Sequence, residues 1–594
     1  MKRDYLLLSI SGAMVFICAF LIYLPTLYHD TVWDDLYVIN NYVLIHTDTP
    51  YDFLLNAGMY YRPLVNLSMS VDHSIWAANP LGYHLSNCLI HSTNALLLFV
   101  ALLYFLRGAH WASMDGDMPR PLPSAGNIVN KAIPLLPLLA SLLFASHPIN
   151  TEAVAWISGR TDLLATTFFL LALLSFMAYE RDRQTKALAI SAIFFFFSLL
   201  SKENGIAFII VAFIYALTTK MNRRDILISI GVLSTVILLY FLLRKGTGLK
   251  DVLLRPGSKG AFLSSKISPG GLIHTFVYGC AFYFEKLLLP IKLTVMPKIP
   301  TSPVYIIVFL LPILYGVTLL LRGLKAELFY LLWIGATLMP SLTIMFSQVA
   351  NPLGERYLYL PSVGFASLVG IASSKLLGNK VFITTAIILL LTSSYLTHDR
   401  LKVWKNDLAL WQDTVAKTPD SVVAHTNYAI ALLQEKDLRA AEDELNIAMK
   451  HPSRSLEQTS IIQNTLATLY LKRNDYAGAE ALLNSSIEAD PNNLSALNNL
   501  GYLYMLLSNI KTDDRGSLLT KAITLFERAL SVSPALTHTS LNLGLCYLEL
   551  DKLDQAEAAF STVIEVDPGG ALSAKAVKFL LLTRMRKGEQ PKRQ

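Results

Sequence analysis

Asp34 and Asp35, in the run TVWDDLYVI, stand a few residues after the first long apolar stretch of the chain ends at IYLPTL. A carboxylate at an apolar rim acquires an elevated pKa and is then suited to accept a proton from a hydroxyl, or to hold a divalent cation. Sequence neighbours on a helix or an extended segment point in different directions, so these two do not share one proton as a dyad. One can face a site while the other caps, binds a second group or meets solvent. From these two residues alone, a solvated acidic turn after a helix is an equal reading. Four further polar runs, YYRPLVN, SHPINTEAVAWISGRTD, SKEN and NPLGERYLYLP, also lie at the ends of apolar stretches.

The elements that must position these runs are set by solvent. The chain has 594 residues, 53% hydrophobic and 16% charged, with a mean hydropathy of +0.45. That is too apolar for one water-soluble domain, and it reads as a polytopic membrane protein with a soluble part attached. The net charge of +7 collects in short clusters between apolar runs, which reports topology and excludes a nucleic-acid partner. Cys18, Cys88, Cys280 and Cys546 lie far apart, without a CxxC pair, so neither a disulfide framework nor a structural metal is indicated. The opening MKRDYLLLSISGAMVFICAFLIYLPTL is too long an apolar run for a signal peptide and lacks a small-residue cleavage site, so an uncleaved first helix is expected.

At about 20 apolar residues per span, spans are expected near residues 5–27, 85–106, 132–146, 162–179, 186–200, 204–219, 225–243, 303–321, 327–346, 357–374 and 381–397. Residues 270–297 are ambiguous, because Glu285 and Lys286 fall in the middle of the run. Each would cost about 2.5–3.5 kcal/mol at the centre of a lipid-facing helix. Loop charge favours about 11 spans with this run at the outer interface. The basic segments at Arg107–Lys131, Arg181–Lys186, Lys220–Arg224, Arg322–Lys325 and Lys375–Lys380 then share the inner side with Lys2 and Arg3. The basic loop Arg244–Lys266 falls outside in either count. This topology gathers the polar runs on the outer rim, where ionisable groups need partners or water.

Beyond Lys402 the chain turns polar and Ala-rich. Paired amphipathic segments align on Ala429, Ala467, Gly501 and Gly544 in their first helices and on Ala441, Ala479, Ala522 and Ala556 in their second. Pro452, Pro491, Pro534 and Pro568 close them. Small residues mark close helix crossings and proline ends a helix. The pattern resembles about four tetratricopeptide repeats, with a short insertion around Asn509–Ser517 in the third. Such an array presents a concave surface of the kind used for a peptide or protein partner, while an ordinary helical solenoid accounts equally well for every residue named.

The runs WDD (Trp33–Asp35), YRPL (Tyr61–Leu64), YHLSNCLIH (Tyr83–His91), HPINTEAVAWISGRTDLLA (His147–Ala165), KENGI (Lys202–Ile206) and ERYLYLPSVGF (Glu355–Phe365), in that order before a repeat array, resemble the transmembrane and tetratricopeptide-repeat (TMTC-like) O-mannosyltransferases of the GT-C class. The resemblance implies an all-α architecture, with a GT-C-like membrane glycosyltransferase domain at residues 1–400 and a tetratricopeptide-repeat solenoid at 405–590. It also implies transfer of a sugar, mannose in the family, from a polyprenyl-phosphate donor to a protein hydroxyl on the non-cytoplasmic face. The acidic motif is the catalytic centre of that class, which makes Asp34, with Asp35 beside it, the candidate base of an inverting displacement.

The departing phosphate then needs cations, and Arg62, Arg160, Lys202 and Arg356 stand at the rim, with Arg356 and Lys202 favoured. A divalent cation is a further way to hold that charge. Glu355, Glu203 and Glu152 support the same rim, and His147 either orients donor phosphate or caps the segment it opens. Asp162 is expected to pair with Arg160 or another rim cation. His84 and His91, seven residues apart with Asn87 between them, read better as a polar packing face than as metal ligands. Asn66 and Asn484 open N-x-S triplets of the glycosylation type. Two other functions compete: a membrane-anchored repeat scaffold without catalysis, and a transporter, which would want broken helices and polar groups near the midplane.

Overall fold

A computed structural model describes residues 2–36, 38–39, 61–107, 135–245, 269–343, 353–373, 380–452, 454–566 and 570–588. It is all-α, with no strand among the described residues, and it divides into two compact units, Met1–Asp413 and Thr414–Gln594. The basic loops read at 108–131 and 246–266, together with Pro568, lie outside the described residues.

The first unit contains α1 (Lys2–Tyr23), α2 (Pro63–Trp76), α3 (Pro80–Arg107), α4 (Leu135–Ser146), the short α5 (Thr151–Ala155), α6 (Arg160–Asp182), α7 (Thr185–Ser201), α8 (Ala207–Thr218) and α9 (Arg223–Lys245). It continues with α10 (Pro269–Leu288), α11 (Val304–Leu321), α12 (Lys325–Leu342), α13 (Tyr359–Ala372) and α14 (Lys380–Leu401). A helix occupies each of the eleven expected segments. Among the described residues, six stretches, centred on α1, α3, α6, α9, α11 and α14, are long and apolar enough to cross a membrane; α4, α7 and α8 are shorter apolar helices. Their environments differ. The stretch containing α6 is 61% buried and packs on α3 and α7, whereas α11 is 6% buried and shows its leucines and isoleucines outward. A helix buried on most faces forms the core, and one apolar all round yet exposed is built for lipid.

The core is aromatic. Phe169 meets Phe208 and Trp333 edge-on at 5.2 Å each, and Phe105 meets Phe329 and Tyr330 at 5.7 and 5.1 Å. Gly364 is required there, since a Cβ would fall 2.4 Å from the Trp333 indole. The ambiguous run forms α10. Its ring contacts fall on the first turns of α11, with Phe276 at 6.2 Å from Phe309 and Tyr278 at 6.5 Å from Tyr305, and the Tyr305 hydroxyl donates to Glu285 at 2.6 Å. α10 therefore packs against the first turns of α11, and Lys286 satisfies its charge on Glu285 and the Ile291 carbonyl.

In the second unit, α16 (Val422–Gln434) and α17 (Leu438–Lys450), α18 (Leu456–Lys472) and α19 (Tyr476–Ala489), α20 (Leu494–Ile510) and α21 (Arg515–Val532), and α22 (Thr537–Glu549) and α23 (Leu553–Val566) are four antiparallel pairs. α15 (Asp407–Lys417) precedes them and α24 (Ala571–Arg586) follows. The small-residue reading holds. Ala429, Ala467, Ala441, Ala479, Ala522 and Ala556 are fully buried, and a Cβ on Gly544 or Gly501 would fall 2.5 or 2.6 Å from the rings of Phe560 and Phe526. Ser421, Asp437, Ser455, Asp475 and Asn493 cap their helices through side-chain oxygens. The insertion in the third repeat is the turn Thr512–Asp514.

Candidate active site

The acidic turn is held from two sides. Trp33 adopts φ 58°, a left-handed conformation that costs a bulky residue energy unless its surroundings impose it. Here its N–H donates to Asp407 at 2.7 Å, its ring stacks on Trp156 at 5.1 Å, and Trp411 meets it edge-on at 5.8 Å. The two carboxylates that follow have different surroundings. Asp35 is fully buried; its Oδ1 accepts from the N–H and hydroxyl of Ser158, both at 2.9 Å, and its Oδ2 from the Val32 N–H at 3.2 Å. Burial pushes its pKa up to about 7 against the pull of those donors. Asp34 is half-buried, with an enclosed Oδ1 that accepts no hydrogen bond among the described residues. Burial raises its pKa as well, while the Ser158 hydroxyl and the Arg356 guanidinium draw it back. Asp35 thus ties the turn to Ser158, whereas Asp34 Oδ1 makes no hydrogen bond among the described residues.

Three of the four expected cations line this rim, each already matched to a carboxylate. Arg356 Nη1 donates to Glu152 at 2.6 Å, and the Arg356 N–H reaches the other Glu152 oxygen at 3.2 Å. Its guanidinium also sits 4.9 Å from the ring centre of Tyr357, 5.2 Å from Trp156 and 6.0 Å from Trp33. Burial alone would lower its pKa, but Glu152 overrides that and holds it above the usual arginine value. Lys202 Nζ reaches both oxygens of Asp162 at 2.7 Å and lies 5.2 Å from the Tyr357 ring. Burial lowers its pKa against the pull of Asp162. Tyr357 is therefore flanked by two cations. Arg62 grips Glu203 at 2.9 Å; burial would raise that carboxyl, yet Arg62 and Lys202 hold it down to about 2.

Arg160 departs from the expectation. It has no exposed surface, and its guanidinium donates to Asn87 at 2.8 Å, to the Tyr83 carbonyl at 2.8 Å and to Asp72 at 2.5 Å. Asn87 in turn donates to the Trp156 carbonyl at 3.0 Å. Gly159 makes the turn tight enough, since a Cβ there would fall 2.4 Å from the Ala153 carbonyl oxygen. Arg160 fixes the segment that carries Trp156 and Ser158, and a ligand phosphate has no access to it. Asp162 pairs with Lys202.

The supporting residues also pin the backbone. Glu355 is buried and accepts the Thr294 N–H at 2.5 Å, with Arg400 at 3.8 Å; burial pushes its pKa up to about 8. His147 joins the Leu287 carbonyl at 3.1 Å and accepts the Ile149 N–H at 3.3 Å, and burial lowers its pKa to about 4. Together they fasten the segment after α10 beside Arg356. His91 bridges the Tyr359 hydroxyl at 2.8 Å and the Ala145 carbonyl at 3.2 Å, and His84 packs edge-on against His29 at 6.1 Å. His91 is thus hydrogen-bonded within the helix packing, while both ring nitrogens of the buried His84 make no hydrogen bond among the described residues. Asn66 is 2% exposed and closed to glycosylation as folded, whereas Asn484 is exposed. Trp33, Trp156, Ser158 and Tyr357 carry no assignment from the sequence, although each stands within a few residues of an assigned charge.

The family described as dolichyl-phosphate-mannose-protein mannosyltransferase matches residues 135–244, the segment carrying His147, Glu152, Asp162, Lys202 and Glu203. Tetratricopeptide-repeat families match 464–511 and 519–577. "Protein O-mannosyl-transferase F38B6.6" of Caenorhabditis elegans is 27% identical over 434 residues, covering 68% of this chain and 57% of that protein. "Protein O-mannosyl-transferase TMTC2" of Homo sapiens is 32% identical over 211 residues, 33% of this chain and 22% of its own. "Protein O-mannosyl-transferase TMTC3" of Homo sapiens is 21% identical over 632 residues, 92% and 63%. The chain spans less than two thirds of the length of these curated relatives. The chain is thus similar to proteins named protein O-mannosyl-transferase, with a match to the mannosyltransferase family ahead of matches to tetratricopeptide-repeat families.

Proposed function

We propose that this chain is a multi-pass membrane glycosyltransferase that moves mannose from a polyprenyl-phosphate donor to a serine or threonine hydroxyl of a protein, on the non-cytoplasmic face. The observation that carries the mechanism is the asymmetry of the acidic pair: Asp35 is engaged by three donors, while Asp34 holds an enclosed oxygen without one, within the field of Arg356. In this reading the acceptor oxygen attacks the anomeric carbon as Asp34 takes its proton. The bond from that carbon to the phosphate oxygen breaks, and polyprenyl phosphate leaves. A single displacement inverts the anomeric carbon. Arg356 and Lys202, on either side of Tyr357, meet the charge that builds on the leaving phosphate. Their carboxylate partners keep them placed before substrate arrives, and Arg62 extends the cationic rim.

Loop charge supports about eleven spans with α10 at the outer interface, which puts this rim and the repeats outside the cytoplasm. The repeats then hold the protein acceptor. The test is transfer of labelled mannose from polyprenyl-phosphate mannose to protein in membranes with and without the chain, with the anomeric configuration of product compared with donor. Chain-dependent label of opposite configuration supports the reading. Label of retained configuration removes the single displacement, and absence of chain-dependent transfer with every lipid-linked sugar tried leaves a repeat scaffold.

A further inference from the structure

The helices that carry the candidate site at one end carry an unassigned cluster at the other. α6 begins at Arg160 and ends at Asp182, and α8 begins just after Lys202 and Glu203 and ends at Thr218. The turns Asp182–Gln184 and Thr219–Asn222 bring Arg181, Arg183, Lys186, Lys220, Arg223 and Arg224 to one rim, all exposed. Arg183 bridges the two turns by reaching Asp225 at 3.0 Å.

Three carboxylates answer these six cations, and they are used by two of them. Arg181 holds Asp182 at 2.8 Å, and Arg183 holds Asp225 and, at 3.6 Å, Glu180. Arg181 also lies 4.5 Å from the Tyr104 ring. Lys186, Lys220, Arg223 and Arg224 make no ion pair among the described residues. Between α6, α8 and α9 lies a narrow apolar cleft of about 10 Å³, lined by Phe176, Ala212, Phe213, Ala216, Ile226 and Leu233. It opens beside Phe213, Leu217, Leu227 and Ile228, which are exposed on the apolar surfaces of α8 and α9.

We propose that this cationic rim and the exposed apolar surfaces beside it form a binding site for an anionic phospholipid, one acyl chain lying along Phe213, Leu217, Leu227 and Ile228 and the phosphate resting on Lys220, Arg223 and Arg224. Charge decides the occupant. A zwitterionic headgroup would bring its own cation against three unpaired ones, whereas an anionic headgroup adds only negative charge. The exposed apolar surface separates a lipid from free phosphate, because phosphate alone has no use for it. The site is independent of sugar transfer; it requires only that these helices sit in a bilayer.

The test uses the purified full chain in detergent, titrated with phosphatidylglycerol, phosphatidylcholine or inorganic phosphate. Native mass spectrometry counts bound lipid, and thermal unfolding reads stabilisation. Phosphatidylglycerol is expected to bind and to raise the unfolding temperature, less so at high salt, while phosphatidylcholine and phosphate do neither. Lys220→Gln, Arg223→Gln and Arg224→Gln combined are expected to weaken phosphatidylglycerol on the order of 100-fold, from roughly fivefold per cation near an anionic headgroup. Arg223→Gln alone tests the same cation if the triple variant fails to fold. Equal binding of phosphatidylcholine, undiminished phosphatidylglycerol binding in the charge variants, or competition by inorganic phosphate at equal strength would each overturn the proposal.

Discussion

The pairing of Arg356 with Glu152 gives a prediction whose size follows from burial. Glu152 is 1% exposed, and its two oxygens take the Arg356 Nη1 at 2.6 Å and the Arg356 N–H at 3.2 Å. The Arg356 side chain retains 20% exposure and rests among Trp33, Trp156 and Tyr357. Removing one member of a buried ion pair costs about 3–5 kcal/mol, because the other charge is left without compensation. Glu152→Ala should fall near the lower end, about 3 kcal/mol, since water and three ring faces still serve the guanidinium. Arg356→Ala strands a carboxylate with no exposed surface and should cost about 4–5 kcal/mol. The double variant removes both charges, so the losses should not add; the coupling should be about 2–3 kcal/mol. The assay is equilibrium unfolding of the detergent-solubilised chain, followed by tryptophan fluorescence, for the parent, two single variants and the double. Additivity within about 0.5 kcal/mol would refute the claim that these two charges sustain one another.

Other consequences are separable. Gly544→Ala places a methyl 2.5 Å from the Phe560 ring and should cost the repeat unit about 1–3 kcal/mol in thermal or urea unfolding, whereas Gly516→Ala, with open space around it, should cost nothing measurable. Asp35→Asn leaves one of the N–H donors of Val32 and Ser158 unanswered and should lose about 1–3 kcal/mol. The native carboxyl has its pKa raised to about 7, so its burden on stability is absent below about pH 4 and grows as the pH rises to 7. The deficit of Asp35→Asn relative to the parent should therefore be larger at pH 5 than at pH 8, and a deficit independent of pH would count against the buried anion. Sugar transfer should fall as pH drops through the pKa of Asp34, which burial raises, and so at a higher pH than for an exposed aspartate; a flat acid limb would show that another group takes the proton.

How much of this is legible in the chain alone differs by region. In the repeats, alanine and glycine at fixed offsets record the helix crossings directly, so the small residues from Ala429 to Ala556 mark every pair. The apolar runs mark their helices for a similar reason, since lipid or core exposure leaves a trace in composition. The rim is legible as a set of charged runs, because ionisable groups at helix ends are conspicuous against apolar neighbours. Its internal pairing is not. Arg160 and Arg356 look alike in sequence, yet a tight turn at Gly159 turns the first inward onto Asn87 and Asp72, while the second meets Glu152, 204 residues away, through helix packing. The surroundings of Asp34 and Asp35 are likewise distinguished by the hydrogen bonds of Ser158 to Asp35, a contact 123 residues distant that no local pattern encodes.

The most direct test of the central claim compares Asp34→Asn with the parent for transfer of labelled mannose from polyprenyl-phosphate mannose to protein, in membranes holding equal amounts of each chain. Because Asp34 Oδ1 makes no hydrogen bond among the described residues, the variant should fold with an unfolding temperature close to that of the parent. The account predicts a fall in transfer rate of about 100-fold or more, the scale of a lost general base. Transfer at the parental rate by the stable Asp34→Asn chain would contradict it.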